Sequence, residues 1–368
     1  MPVADWVTLE ALERDPHPIH ARLRAETPVV WVPVLDGWLV TRRDDVNAAM
    51  RDDVGLTVDD PRFSTGRITG PSMLSTDGDE HARHRAPFAR PYRLDAVRAD
   101  FADVAQTEAD RLVDAFAADG EADLRAQLAG PLAARMMLIA LGLDTADEAE
   151  VLGWYARIVA AVEEMSAGGA VDPDALAAYA DFGRAVDAAG LAAPGLTRDE
   201  LVANAAILLF GGVETTEAMI ANLLHHLLAA DLLDAPELLD GAIEESLRLE
   251  PAAVRIDRYA TRDVEIGGVT IPAGDLVILS LASANRDEAV FADPDVFDPE
   301  RPNVKLHTTF ATGPHVCLGM HLARLEARAA VSALRRLPGL RADPARPSEP
   351  RGLVFRKPSA VWTAWPTA

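Results

Sequence analysis

The sequence predicts a mainly α-helical protein with small β-sheets. Apolar residues recur at helical spacing through several long segments, strand-like runs are few and short, and 49% of the residues are hydrophobic, enough for a continuous core. Val29–Val34 and Gly37–Thr41 read as a hairpin turning at Leu35 and Asp36. Asp95–Ala118, Leu128–Leu141, Ala146–Met165 and Asp172–Ala189 read as helices. Thr197-Arg198-Asp199-Glu200 has the form of a capping box and opens a long helix running to Leu228. Leu238–Leu249 is the next helical segment. Val264–Ile271, with Gly267 and Gly268 at its middle, and Leu276–Leu281 read as a second small sheet, and Leu318–Leu334 closes the pattern as an amphipathic helix. Proline and glycine are spread along the chain and not gathered into a linker, so residues 1–368 are expected to form one domain.

Composition narrows the class. A net charge of −23 argues against nucleic acid as a partner. A single cysteine leaves no intramolecular disulfide and suits a reducing cytoplasm. Met1–His20 has charges and prolines but no apolar run, so neither a signal peptide nor a membrane anchor is expected there. The most apolar stretch, Leu201–Val213, is too short to span a bilayer and ends at Glu214. Arg83, Arg85, Arg90 and Arg93, with Arg324, Arg328, Arg335 and Arg336, are expected to make a basic patch suited to an acidic partner, or else to be solvated helix faces.

The one cysteine lies in Phe310-Ala311-Thr312-Gly313-Pro314-His315-Val316-Cys317-Leu318-Gly319. A lone cysteine is often a small buried apolar residue, and a cysteine near a histidine can be a nucleophile. Neither role requires glycines at both Gly313 and Gly319. A thiolate metal ligand at the start of a helix does account for the run: the helix dipole favours the anion, and the glycines leave room for a flat group. A second run, Phe210-Gly211-Gly212-Val213-Glu214-Thr215-Thr216, places two glycines inside the long helix at about 1 kcal/mol each relative to alanine. Thr215 can bond back to the carbonyl near Gly211 and open a groove. The plainer reading is a glycine-softened packing contact.

Together these runs resemble the cytochrome P-450 family, over about Asp59–Phe355. The Cys317 run is similar to that family's haem-binding loop, and Gly211–Thr216 to its oxygen-binding signature. The resemblance implies the cytochrome P-450 fold, a haem b cofactor (iron protoporphyrin IX) and Cys317 as the axial iron ligand. Phe310 would pack beside the sulfur, Gly313 and Gly319 would leave room for the macrocycle, and Gly211 would also be a haem-binding residue. Glu214 and Thr215 would pass the protons that favour O–O cleavage over peroxide release. His81, four residues before Arg85, matches a His-x-x-x-Arg pair that, with Arg258 and His315, would donate to the haem propionates. Arg255 competes with Arg258 for that role. Glu245, Arg248 and Arg301 would form a buried ion network holding the cysteine loop.

The implied activity is a haem-thiolate monooxygenase that inserts one atom of O2 into a small organic substrate. Its electrons would come from a ferredoxin or flavodoxin with its reductase, and no membrane is expected. The pocket walls, Thr65–Ser75, Ala203, Ile207, Phe210, Ala252–Ile256 and Phe355, suggest an apolar or partly aromatic substrate, with Arg67 and Arg255 as the charged exceptions. The chain is shorter than the family between Leu141 and the long helix, where the substrate lid is expected. A haem-binding recruitment module and a peroxide-driven oxidase are the alternatives.

Overall fold

A computed structural model describes residues 2–143, 150–154, 156–157 and 173–367. The helix expected over Ala146–Met165, and with it most of the shortened lid, lies largely outside them; residues 150–154 and 156–157 are helical.

The long helix, Arg198–Ala229, organises the core. Its capping box forms as expected, Thr197 Oγ1 accepting from the Glu200 amide and Glu200 Oε2 from the Thr197 amide. Gly130–Ala140, Pro173–Ala189, Leu239–Leu249 and Met320–Leu334 pack around it, and Leu94–Phe116 lies along the last of these. Residues such as Leu132, Leu138, Leu209 and Leu224 are fully removed from water. Each such side chain contributes about 1.5–3 kcal/mol. By length and composition the long helix would suit a membrane, but 67% of its 18-residue apolar window is buried in protein, so it is a core helix. It is helical throughout, with no interruption at its paired glycines. Gly212 has a packing cause: a Cβ there would collide with Met137 Sδ.

The strands depart from expectation. The Val29–Val32/Gly37–Val40 hairpin forms, turning through Asp36 at φ 48°. Val264–Ile266 and Val269–Ile271 pair only with each other, around Gly267 and Gly268, both left-handed. Leu276–Ser280 does not join them. It lies parallel to Gly37–Val40 and antiparallel to Arg255–Ala260, in a five-stranded sheet completed by Leu56–Thr57.

A buried ion network ties the Leu239–Leu249 helix to the segment before the cysteine loop. Arg248 grips Glu245 at 2.8 and 2.7 Å, and Arg301 Nε reaches Glu245 Oε1 at 2.9 Å. Glu245 and Arg248 have no exposed side-chain surface. The arginines also hold the carbonyls of Asn285, Ala292, Asp293, Pro294 and Val296. Asn285 in turn binds Thr308 and Thr309, whose hydroxyl reaches Leu247 O, so the hold extends to the residue before Phe310.

Candidate active site

The cysteine loop closes on itself, the Cys317 amide donating to Phe310 O at 2.8 Å. Gly319 then caps the Met320–Leu334 helix. Gly313 serves a different purpose from the one expected. It is left-handed at φ 78°, and a Cβ there would sit 2.7 Å from Met50 O, so it fits the loop against the protein's own backbone. Arg324 lies over the Phe310 ring at 4.5 Å and is held by Glu244.

Cys317 lies deep in the molecule, where burial pushes its thiol up. The Gly319 and Met320 amides, Arg85 and Arg324 oppose that rise. Its surface is nevertheless exposed, so the sulfur faces an open interior cleft. Orphan amides at a helix start and nearby guanidinium groups are the donors a thiolate needs.

On the long helix Gly211 is exposed, and Thr215 Oγ1 donates to Gly211 O as expected. The hydroxyl's proton is thereby committed, and its lone pairs are what it offers. Leu208 of the long helix and Leu318, next to the cysteine, pack against one shared apolar cluster, which brings the two walls together. Glu214 is tied by Lys357 Nζ to Oε1 at 2.6 Å.

The expected donor residues also converge. His81 and His315 stack with ring centroids 4.1 Å apart and 2° between planes. Arg85 Nη2 donates to Val316 O at 2.7 Å. His315 Nε2 is already engaged, at 2.8 Å from Asp77 Oδ1. Asp77 also accepts from Thr57 Oγ1 and the Val58 amide, and despite burial, the largest influence on it, these partners hold its carboxyl far below the usual range. His81 is buried with Nε2 unpartnered, and burial lowers its pKa to about 4. Arg258 is buried, donates among the described residues only to its neighbour's carbonyl, and feels the Asp77 charge.

Arg255 is not a competitor. Three residues from Arg258 on the same strand, it points to the sheet's opposite face, into a small cavity with Leu12, Pro16, His20, Leu39 and Leu353. The pocket segments meet otherwise as expected: Phe210 packs edge-on to Phe355 at 5.7 Å, Ala253 bridges Phe355, and the Met73 amide donates to Asn204 Oδ1. Four of the eight arginines expected to form a basic patch are paired with carboxylates. Arg83 pairs with Glu80 and Glu200, Arg324 with Glu244, Arg328 with Asp240, and Arg336 with Asp110 and Asp114. Glu80, His84 and Glu200 have metal-like spacing, but Arg83 occupies both carboxylates and both His84 nitrogens have partners.

The donors here suit a group that carries a thiolate-accepting metal and bears anions. A Cβ on Gly211 or Gly319 would meet nothing within 4 Å, Cys317 is deep yet open, and His81 Nε2 and Arg258 are buried donors without anionic partners. These residues fit haem.

Sequence reasoning missed Asp77, Lys357 and Glu326. Asp77 had a usable signal, an acidic residue before a helix and four residues ahead of His81. Glu326 is 1% exposed with Oε2 unpartnered, and burial raises its pKa well above 4.5. The unfolded chain releases that proton above about pH 4.5 while the folded protein keeps it, so this residue costs stability as pH rises. Glu326→Gln cannot ionise and is expected to melt higher than wild type, with a gap that widens between about pH 5 and 8. A gap constant across that range in thermal melts would show that Glu326 is ionised in the fold.

The cytochrome P-450 family matches residues 229–337. Nocardicin C N-oxygenase of Nocardia uniformis subsp. tsuyamanensis is 37% identical, over 95% of this chain and 96% of that protein. Mycinamicin IV hydroxylase/epoxidase of Micromonospora griseorubida is 34% identical over 90% of each. The crystal structure of CalO2 superposes with a TM-score of 0.87 at 31% identity, covering 100% of both chains. With the cysteine loop, the long helix and the fold all in agreement, the chain belongs to the cytochrome P-450 family.

Proposed function

We propose that this monooxygenase inserts one atom of O2 into an apolar or partly aromatic secondary metabolite, by hydroxylation in the default case, while working as one cytoplasmic domain. The observation that carries this reading is Cys317, deep yet open, at a helix start, in a chain whose long helix carries the Thr215–Gly211 bond. Haem b, held there through the Cys317 thiolate, would supply the oxygen-activating chemistry. His81 and Arg258 would hold its carboxylates, while Arg85 and His315 fix the adjoining loop, since Arg85 holds Val316 O and His315 is held by Asp77. Phe310 shields the sulfur, and Gly211 and Gly319 leave space for the ring.

Glu214 is the proton source and Thr215 Oγ1 the acceptor that positions the proton at the cleft. The edge-on Phe210 and Phe355 rings favour an apolar or aromatic substrate face. Electrons come from a ferredoxin or flavodoxin with its reductase. The named relatives act on nocardicin C and mycinamicin IV, which supports a secondary metabolite here and makes N-oxygenation and epoxidation accessible outcomes. A recruitment module would have no use for the Glu214–Thr215 pair, and the relatives' names are those of oxygenases.

Thr215→Val is expected to keep its haem and its electron consumption but to lose product about a hundredfold, the electrons leaving as peroxide. Product and peroxide per NADPH, with ferredoxin and its reductase present, give the answer. Unchanged product yield would remove Thr215 from the proton path, and turnover with peroxide but never with a reduced ferredoxin would favour the peroxide-driven alternative.

A further inference from the structure

The acid of the acid–alcohol pair is held from an unexpected direction. Lys357 Nζ bonds Glu214 Oε1 at 2.6 Å and Glu217 Oε2 at 2.9 Å, while Arg125 Nε holds Glu217 Oε1 at 2.7 Å. Glu214, Glu217 and Lys357 are 20%, 13% and 16% exposed, so the cluster is partly desolvated and its pairs count for more than surface ones. Only two lysines occur in the whole chain, at 305 and 357.

Lys357 is also rigidly aimed. Its neighbour Arg356 is 2% exposed and fixed by Glu250 Oε1, Glu13 O and Pro350 O. Asn222, two turns beyond Glu214 on the long helix, donates to both Arg356 O and Glu250 O. The strand that carries the lysine is therefore pinned to the helix that carries the acid. Glu214 and Glu217 are like charges three residues apart on one helix face, an arrangement that repels unless a cation lies between them. Among the described residues Lys357 is that cation, and it leaves Glu214 Oε2 without a hydrogen-bond partner.

We propose that Lys357 is the positioning residue for Glu214: it holds Oε1 against the repulsion of Glu217 and keeps Oε2 turned to the proton path beside Thr215. An ammonium suits the task as a compact charge with three rotatable donors, able to reach both carboxylates from the end of one flexible stem. The inference rests on Glu214 being the proton source, and the experiment separates the two.

Glu214→Gln, Lys357→Met, Lys357→Arg and the Glu214→Gln/Lys357→Met double variant are loaded with haem and compared with wild type. The readouts are peroxide released per product, the solvent isotope effect on product formation, and urea midpoints. Glu214→Gln and Lys357→Met are each expected to raise the peroxide-to-product ratio at least fivefold and to enlarge the isotope effect. The double variant should be no worse than either, its urea midpoint should fall by less than the two single losses together, and Lys357→Arg should recover part of the coupling. If Glu214→Gln uncouples and Lys357→Met does not, or if the midpoints add, Lys357 does not position Glu214 although the acid assignment stands. If Glu214→Gln leaves coupling unchanged, the acid assignment itself fails and the proposal with it. Should Lys357→Met not fold, Lys357→Gln, which keeps one donor but no charge, replaces it under the same criteria.

Discussion

Replacing Glu245 by alanine is expected to cost about 3–5 kcal/mol, the penalty for leaving buried charge without its partner. Arg248 and Arg301 both depend on this one carboxylate, and neither it nor Arg248 has any exposed side-chain surface. The loss should not stay local. Glu245 Oε1 also accepts the Asp298 amide, and the two arginines hold five carbonyls between Asn285 and Val296. Urea unfolding should show the drop, and haem content per chain should fall with it because the cysteine loop loses its support. Glu245→Gln, which keeps the shape but not the charge, should fall between. A Glu245→Ala protein with wild-type stability and full haem would show that the network holds nothing.

The second large effect concerns Cys317. Cys317→Ser is expected to keep the fold, because the loop is closed by its backbone, through the Cys317 amide and Phe310 O, and not by the sulfur. Oxygenation should fall below detection, since a hydroxyl does not replace a thiolate as the electron-donating ligand. Circular dichroism and product formation separate these outcomes. Retained product formation would remove the sulfur from the reaction.

What the sequence revealed and what it hid follow from how local each interaction is. The helices were legible because their apolar stripes repeat within the segment itself, and the ends found, such as Arg198–Ala229 and Leu239–Leu249, lie close to the expected ones. The cysteine loop and the Gly211–Thr215 run were legible because each packs its chemistry into a few adjacent residues. Arg255–Ala260 was not read as a strand. It has charged residues on both faces, and its partner Leu276–Ser280 owes its place to Gly37–Val40, far away in the chain. Once the strand is known, its alternation alone separates Arg255 from Arg258.

Lys357 and Asp77 were missed for a related reason. Each acts on a residue far off in sequence, 143 positions away for the Lys357–Glu214 bond and 238 for His315–Asp77. Gly313 shows the reverse error, since its place in the motif was legible but its cause, contact with Met50 O, was not.

The central claim is that Cys317 presents its thiolate to haem iron. The absorption spectrum of the haem-loaded protein, reduced under carbon monoxide, tests it most directly. A strongly red-shifted Soret band, lost in Cys317→Ser, is the expected result. A band at the position given by a histidine ligand, or one that survives in Cys317→Ser, would contradict the account.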